Sequence, residues 1–207
     1  MVTAVKICGI TRVEDGIAAA AAGAHAIGLV FHPASPRFVD VGRAREIAER
    51  LPPFITAVGL FVDPDPSAVH AVLNQVPLQL LQFHGEETPE FCAGFGLPYL
   101  KAARVGREGD LLQYAAAYRE ARGLLLDAFV DGTHGGTGQA FDWSQIPRDL
   151  PLPVVLAGGL TPANVGAAIR AVRPWAVDVS SGVEREKGIK DAAKIAAFIR
   201  GARDADV

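Results

Sequence analysis

The chain has 207 residues, half of them apolar, and a formal net charge of −3 with acids and bases interspersed. That is enough for one large domain with a sizeable core, and the absence of a basic block argues against nucleic acid as a partner. No apolar run approaches the roughly 18 residues of a membrane span. No charged-then-apolar leader opens the sequence, and two cysteines, Cys8 and Cys92, make neither a disulfide framework nor a zinc cluster. A cytoplasmic protein is expected.

Short apolar runs alternate with alanine-rich helical patterns along the chain. In order, strands are predicted at Val5–Ile10, Ala26–Phe31, Thr56–Val62, Leu78–Phe83, Leu100–Val105, Gly123–Asp127, Val154–Ala157 and Ala176–Val179. Helices are predicted at Val13–Ala22, Arg43–Leu51, Ser67–Gln75, Asp110–Ala121, Pro162–Val172 and Asp191–Ala202, with shorter ones at Pro89–Phe95 and Trp143–Ile146. Runs such as "LLLDAF" and "PVVLAGG" are nearly all apolar, as expected for parallel strands covered on both faces. Asp65-Pro66, Thr88-Pro89 and Thr161-Pro162 place proline at or near a first helical turn.

Eight such units in this length predict a single-domain α/β fold, a (β/α)8 TIM barrel spanning residues 1–207. The rival is a doubly wound open sheet, but no G-x-G-x-x-G follows the first strand to support a dinucleotide site. The longest irregular stretch, "VDGTHGGTGQA" at 130–140, is glycine-rich and follows a strand, which suits a functional loop.

A barrel of this type keeps its site at the C-terminal ends of the strands. The predicted rim gathers Cys8, Arg37, His84, Asp127, the Gly158-Gly159 turn, Asp178 and Ser180-Ser181-Gly182. Most have a plainer alternative, which for the Gly-Gly turn is only a tight turn and a close helix–strand approach. Cys8 is either core filler or a reactive thiol sharing a strand face with Lys6. Asp127 is either a cap or ion-pair residue, or a catalytic acid. Asp178 either contacts substrate or pairs with Lys6, which would otherwise be a costly buried cation. The turns "AGGLTPANV" and "SSGVE" suit a phosphate dianion held by backbone amides, a helix N-terminus and hydroxyls. The five histidines form no metal set. His84 stands at the rim, His70 lies on a predicted helix and faces solvent, and Cys92 reads as core.

"KICGIT", "SPRFV", "VGLFV", "QFHGEE", "LLLDAF", "GGTGQAFDW", "VVLAGGLTPANV" and "VDVSSGVE", in that order from Val5 to about Ile199, resemble the phosphoribosylanthranilate isomerase family of tryptophan biosynthesis. Phe83 stands where the family more often shows Leu, and Gln139 and Ala140 where Lys and Thr are common. The resemblance implies an Amadori rearrangement that opens the ring of N-(5'-phosphoribosyl)anthranilate, without a cofactor. It implies Asp127 as the acid, Cys8 as the base and Arg37 as the partner of the anthranilate carboxylate. His84 and Asp178 would stand on the substrate side, and Gly158, Gly159, Ser180, Ser181 and Gly182 would hold the phosphate. Nearby positive charge is expected to lower the Cys8 thiol, and desolvation to keep the Asp127 carboxyl protonated. The expected partner is a small phosphorylated molecule, with no nucleic acid or membrane, and the chain is a monomer or homodimer. Indoleglycerol-phosphate synthase, a metal-dependent epimerase and a non-enzymatic sugar-phosphate sensor are the alternatives. The first needs a Lys–Glu set and the second a metal set, and neither is evident.

Overall fold

The computed structural model describes residues 2–105, 110–127, 143 and 146–205. Ten strands and seven helices appear among them. The first half runs β1 (Ala4–Ile7), α1 (Val13–Ala22), β2 (Ala26–Val30), α2 (Val41–Glu49), β3 (Thr56–Phe61), α3 (Pro66–Leu73), β4 (Leu80–Phe83) and α4 (Pro89–Ala93). The second half runs β5 (Tyr99–Arg104), α5 (Leu111–Ala117), β6 (Gly123–Asp127), β7 (Val154–Ala157), α6 (Val165–Val172), β8 (Ala176–Val179), β9 (Glu184–Glu186), β10 (Ile189–Lys190) and α7 (Ala192–Arg203). The strands β1 to β8 pair in parallel, each with the next in sequence, and β8 closes onto β1. The expected barrel is therefore the observed one. The predicted helix at Trp143–Ile146 falls largely outside the described residues.

Local chemistry starts the helices. Asp40, Asp65, Thr88, Asp110 and Asp191 each accept a backbone N–H of the first turn through the side chain, which satisfies donors the helix leaves unpaired. Pro66 and Pro89 sit in the first turns of α3 and α4. The Thr161-Pro162 signal is displaced, because α6 begins at Val165. Asn164 explains the delay: its Oδ1 accepts the Thr161 N–H at 2.7 Å and its Nδ2 donates to the Gly159 carbonyl at 3.0 Å. The residues after Pro162 thus brace the glycine turn before the helix begins.

Two apolar layers hold the barrel. The larger lies between the strands and the helices, from Val5 and Ile7 round to Phe198 and Ile199. A smaller one inside the barrel joins Leu100, Ala102, Leu125, Val155, Ala157 and Ala176. The predicted first strand, Val5–Ile10, is shorter in the structure and ends at Ile7. The Cys8 N–H still donates to the Val179 carbonyl at 2.8 Å, and then Gly9, at φ +72°, turns the chain out of the wall. The hairpin β9–β10, after a 3-10 turn at Ser181–Val183, was not expected from the sequence. It lies on the rim side, beyond the end of β8.

Candidate active site

The carboxyl ends of the strands open into a cleft of about 350 Å³, lined by Cys8, Arg37, His84, Asp127, Gly158, Gly159, Asp178, Ser180 and Ser181. That volume suits a small ligand. Nine of the ten residues singled out from the sequence therefore meet in one place. The tenth, Gly182, does not line the cleft. Its missing side chain serves packing, since a Cβ there would lie 2.0 Å from the Leu160 carbonyl oxygen. The absence of that atom lets the turn after β8 press against the turn after β7, so that the two glycine-rich segments form one wall.

Beneath the cleft, Lys6 and Asp178 form a buried ion pair, Nζ to Oδ1 3.0 Å. They are also register partners across the β1–β8 seam. Asp178 thus pairs with Lys6, the structural reading, and also lines the cleft. Cys8 is 6% exposed and stands above Lys6 on the same face. A Cβ on Gly28 of β2 would meet Cys8 Sγ at 2.8 Å and Lys6 Nζ at 3.1 Å. Burial pushes the Cys8 thiol up from its ordinary value, and the attraction of Lys6 only partly offsets it, with Lys190 assisting and Asp178 opposing. The expected lowering of this thiol is thus not found, because loss of water outweighs the nearby cations.

Asp127 ends β6 and keeps 24% of its side chain exposed, so the apolar strand buries it less than the sequence suggested. His84 Nε2 lies 3.5 Å from Asp127 Oδ2, and its Nδ1 lies 3.1 Å from Gln82 Nε2. The His84 ring thus bridges the Gln82 amide and the Asp127 carboxyl group. Gln82 is fully buried. The segment after His84 is anchored from behind by Glu87, which accepts the Gly85 N–H and the Asp63 N–H and pairs with buried Lys101 at 2.8 Å.

Arg37 reaches the cleft with its fork already engaged. Nε and Nη2 donate to the two oxygens of Glu184 at 2.7 and 2.8 Å. Glu184 thus occupies the Nε edge of the guanidinium and leaves Nη1 out of the clamp. Cys8, Val30, Leu60 and Val62 add an apolar patch to the same cleft.

The family profile described as "PRAI: N-(5'phosphoribosyl)anthranilate (PRA) isomerase" matches residues 5–201. The chain belongs to the N-(5'-phosphoribosyl)anthranilate isomerase family. The N-(5'-phosphoribosyl)anthranilate isomerase of Pseudomonas aeruginosa (strain LESB58) is 61% identical over 199 residues, covering 96% of this chain and 94% of that one. The crystal structure of phosphoribosyl anthranilate isomerase from Thermotoga maritima superposes with a TM-score of 0.90 at 44% identity, covering 98% of this chain and 99% of that one. The chain is also similar to a crystal structure of phosphoribosyl anthranilate isomerase in complex with reduced 1-(o-carboxyphenylamino)-1-deoxyribulose 5-phosphate. It is 42% identical, with a TM-score of 0.86 and coverage of 98% of this chain and 99% of that one. The family resemblance read from the motifs is therefore correct, and so is the barrel.

Several residues that shape this isomerase-family cleft had no assigned role in the sequence reading. Glu184 closes the motif "SSGVE", and Asn164 lies within "AGGLTPANV". Gln82 stands two residues before His84, on the inward alternation that places both in the cleft. Lys190 carried no local signal, because it reaches the site only through the unexpected hairpin. The stretch 130–140, with Gln139, Ala140 and His134, lies outside the described residues. Among the described residues no three His, Cys, Asp or Glu side chains are grouped to hold a metal ion, and no helix is long and apolar enough to cross a membrane.

Proposed function

We propose that this chain converts N-(5'-phosphoribosyl)anthranilate to 1-(2-carboxyphenylamino)-1-deoxyribulose 5-phosphate, the isomerase step of tryptophan biosynthesis. The observation that carries the reading is the convergence of Cys8, after β1, and Asp127, at the end of β6, on one cleft. That cleft also holds a glycine turn, two serines and an arginine. An acid and a base on separate strands are what an aldose–ketose rearrangement needs.

Asp127, as the general acid, gives a proton to the furanose ring oxygen as the C1–O bond breaks. The nitrogen lone pair forms a C1=N bond, leaving an iminium cation. Cys8, once its own thiol proton has passed to solvent, removes the C2 proton as the thiolate and so becomes the thiol again. The C–H electrons form C1=C2, and the C=N electrons return to nitrogen. The resulting enolamine gains a proton at C1 and loses the C2 hydroxyl proton to give the ketone. Ring opening first has a physical reason. The iminium acidifies C2–H and brings positive charge to a thiol that burial otherwise keeps protonated.

Arg37 Nη1 would take the anthranilate carboxylate, and Val30, Leu60 and Val62 would carry the aromatic ring. The phosphate would sit against the Gly158-Gly159 turn, braced by Asn164, and against Ser180 and Ser181. Asp178 would hold Lys6 beneath the thiol, and His84 would orient Asp127. Residues 1–207 act as one barrel domain in this reading. A cytoplasmic site of action belongs to it too, since two buried free thiols suit a reducing compartment. Following the rearrangement in the presence of EDTA, with wild type, Cys8→Ser and Asp127→Asn, tests the proposal. Turnover by wild type that both substitutions lower by roughly 10²–10⁴ is the expected result, and wild-type inactivity on this substrate overturns it.

A further inference from the structure

The hairpin β9–β10 carries two buried charges that the reaction above leaves without a role. Glu184 is 8% exposed and Lys190 3% exposed. Glu184 Oε1 accepts from Arg37 Nε and, at 2.9 Å, from Lys190 Nζ, while Oε2 accepts from Arg37 Nη2. Lys190 Nζ also donates to the Ser180 carbonyl at 3.1 Å and to the Ser180 hydroxyl at 3.3 Å. An unbroken chain of charged hydrogen bonds thus runs from Arg37, beyond β2, to Ser180, beyond β8.

The chain is firmly mounted. The Lys190 N–H donates to Asp15 Oδ2 at 3.1 Å, which ties β10 to α1. Lys194 Nζ of α7 donates to the Glu184 carbonyl at 2.7 Å, and the Thr11 hydroxyl donates to the Gly188 carbonyl. The hairpin is therefore fixed to the first loop, the first helix and the last helix. Two cations share one carboxylate, and the two ends of the chain, Arg37 and Ser180, are the members that line the cleft.

Burying charges for stability alone is a poor bargain, since an apolar replacement of the same volume does as well. A bidentate clamp on an arginine does something an apolar contact cannot: it selects one rotamer and one edge of the guanidinium. We propose that Glu184 and Lys190 are positioning residues that fix Arg37 relative to Ser180, so that one charged bracket sets the spacing between the carboxylate-binding and phosphate-binding ends of the cleft. The inference rests on the assignment of Arg37 to the carboxylate and Ser180 to the phosphate in the proposed function.

The test compares two ligands by calorimetry. One is the reduced product analogue, reduced 1-(o-carboxyphenylamino)-1-deoxyribulose 5-phosphate, and the other is the same molecule without the ring carboxylate. Glu184→Gln keeps the shape and removes the charge. It should weaken the carboxylated analogue by roughly 10–100-fold, the range of one charged hydrogen bond. The decarboxylated analogue should change less than about threefold. KM should rise with kcat nearly unchanged, because the bracket acts on binding in ground and transition states alike. Arg37→Ala combined with Glu184→Gln should be no worse than Arg37→Ala alone, since Glu184 acts through Arg37.

Glu184→Gln leaves Lys190 buried without its counter-ion and can unfold the hairpin. The double variant Glu184→Gln/Lys190→Met removes both charges and serves as the second measurement. It should fold and still lose discrimination between the two analogues. Equal losses for both analogues, additive effects with Arg37→Ala, or wild-type discrimination in the double variant each overturn the bracket. The proposed function fails separately, if wild type neither isomerises the phosphoribosyl substrate nor binds the carboxylated analogue.

Discussion

Lys6 and Asp178 face each other across the seam where β8 closes onto β1, 3.0 Å apart and almost without water, directly beneath Cys8. The pair closes the barrel and also sets the field under the thiol. Removing one partner leaves an uncompensated buried charge. Lys6→Met should therefore cost on the order of 3–5 kcal/mol, and Lys6→Met/Asp178→Leu should recover most of it. Denaturant unfolding of the three proteins checks this, and equal stability of both variants with wild type removes the pair from the barrel's energetics.

The same pair predicts an alkaline limit. Burial by itself lowers Lys6, but the attraction of Asp178, then that of Cys8, together with their hydrogen bonds, leaves it above its ordinary 10.5. Because the folded state holds this proton more tightly, its stabilisation is present in full below about pH 10 and is lost as pH rises through the raised folded value. Thermal midpoints across pH 8 to 12 should fall at the alkaline end in wild type, and fall less in Lys6→Met/Asp178→Leu.

Cys8 should react slowly in the free protein. Burial raises the thiol, with Lys6 opposing, so iodoacetamide inactivation should climb with pH and have its midpoint above the ordinary thiol value of 9.0. Cys92, buried and pushed up to about 12, should react more slowly still. Cys8→Ser should fold normally and lose roughly 10²–10⁴ in kcat. Near wild-type turnover in that variant would return Cys8 to core filler.

Asp127→Asn preserves shape and removes the acidic proton. The expected loss in kcat is again roughly 10²–10⁴, with ligand affinity largely kept. Single-turnover kinetics separate the two quantities, and a loss under about tenfold assigns the acid to another group.

Gly28 offers a steric test of the same corner. Gly28→Ala would place a Cβ 2.8 Å from Cys8 Sγ and 3.2 Å from the Cys8 Cα. Overpacking of this kind costs about 1–3 kcal/mol, and the contact with the Cys8 Cα means that a shift of the thiol alone does not relieve it. Turnover should fall more steeply than stability. Melting temperature and kcat measured on one preparation decide, and a variant with wild-type kcat shows that the thiol's placement tolerates displacement.

Much of this was legible without coordinates. Parallel barrel strands are covered on both faces, so "LLLDAF" and "PVVLAGG" read as unbroken apolar runs and counted the barrel correctly. Closure then sends every strand's C-terminal end to one rim, which is why Cys8, Arg37, His84, Asp127, Gly158 and Ser180 were found together. Element boundaries were less legible: β1 stops at Ile7 because Gly9 turns the chain, and α6 waits until Val165 because Asn164 first braces the glycine turn.

What only the tertiary structure decided are the partners and the balance of fields. Glu184 lies 147 residues from Arg37, and Asp178 lies 172 residues from Lys6. No local pattern encodes contacts of that span, because they exist only after β8 has met β1 and the hairpin has folded over the rim. The direction of the Cys8 shift was beyond the sequence for the same reason. A neighbouring lysine can be read from "KIC", but the loss of water that outweighs it is a property of the closed barrel.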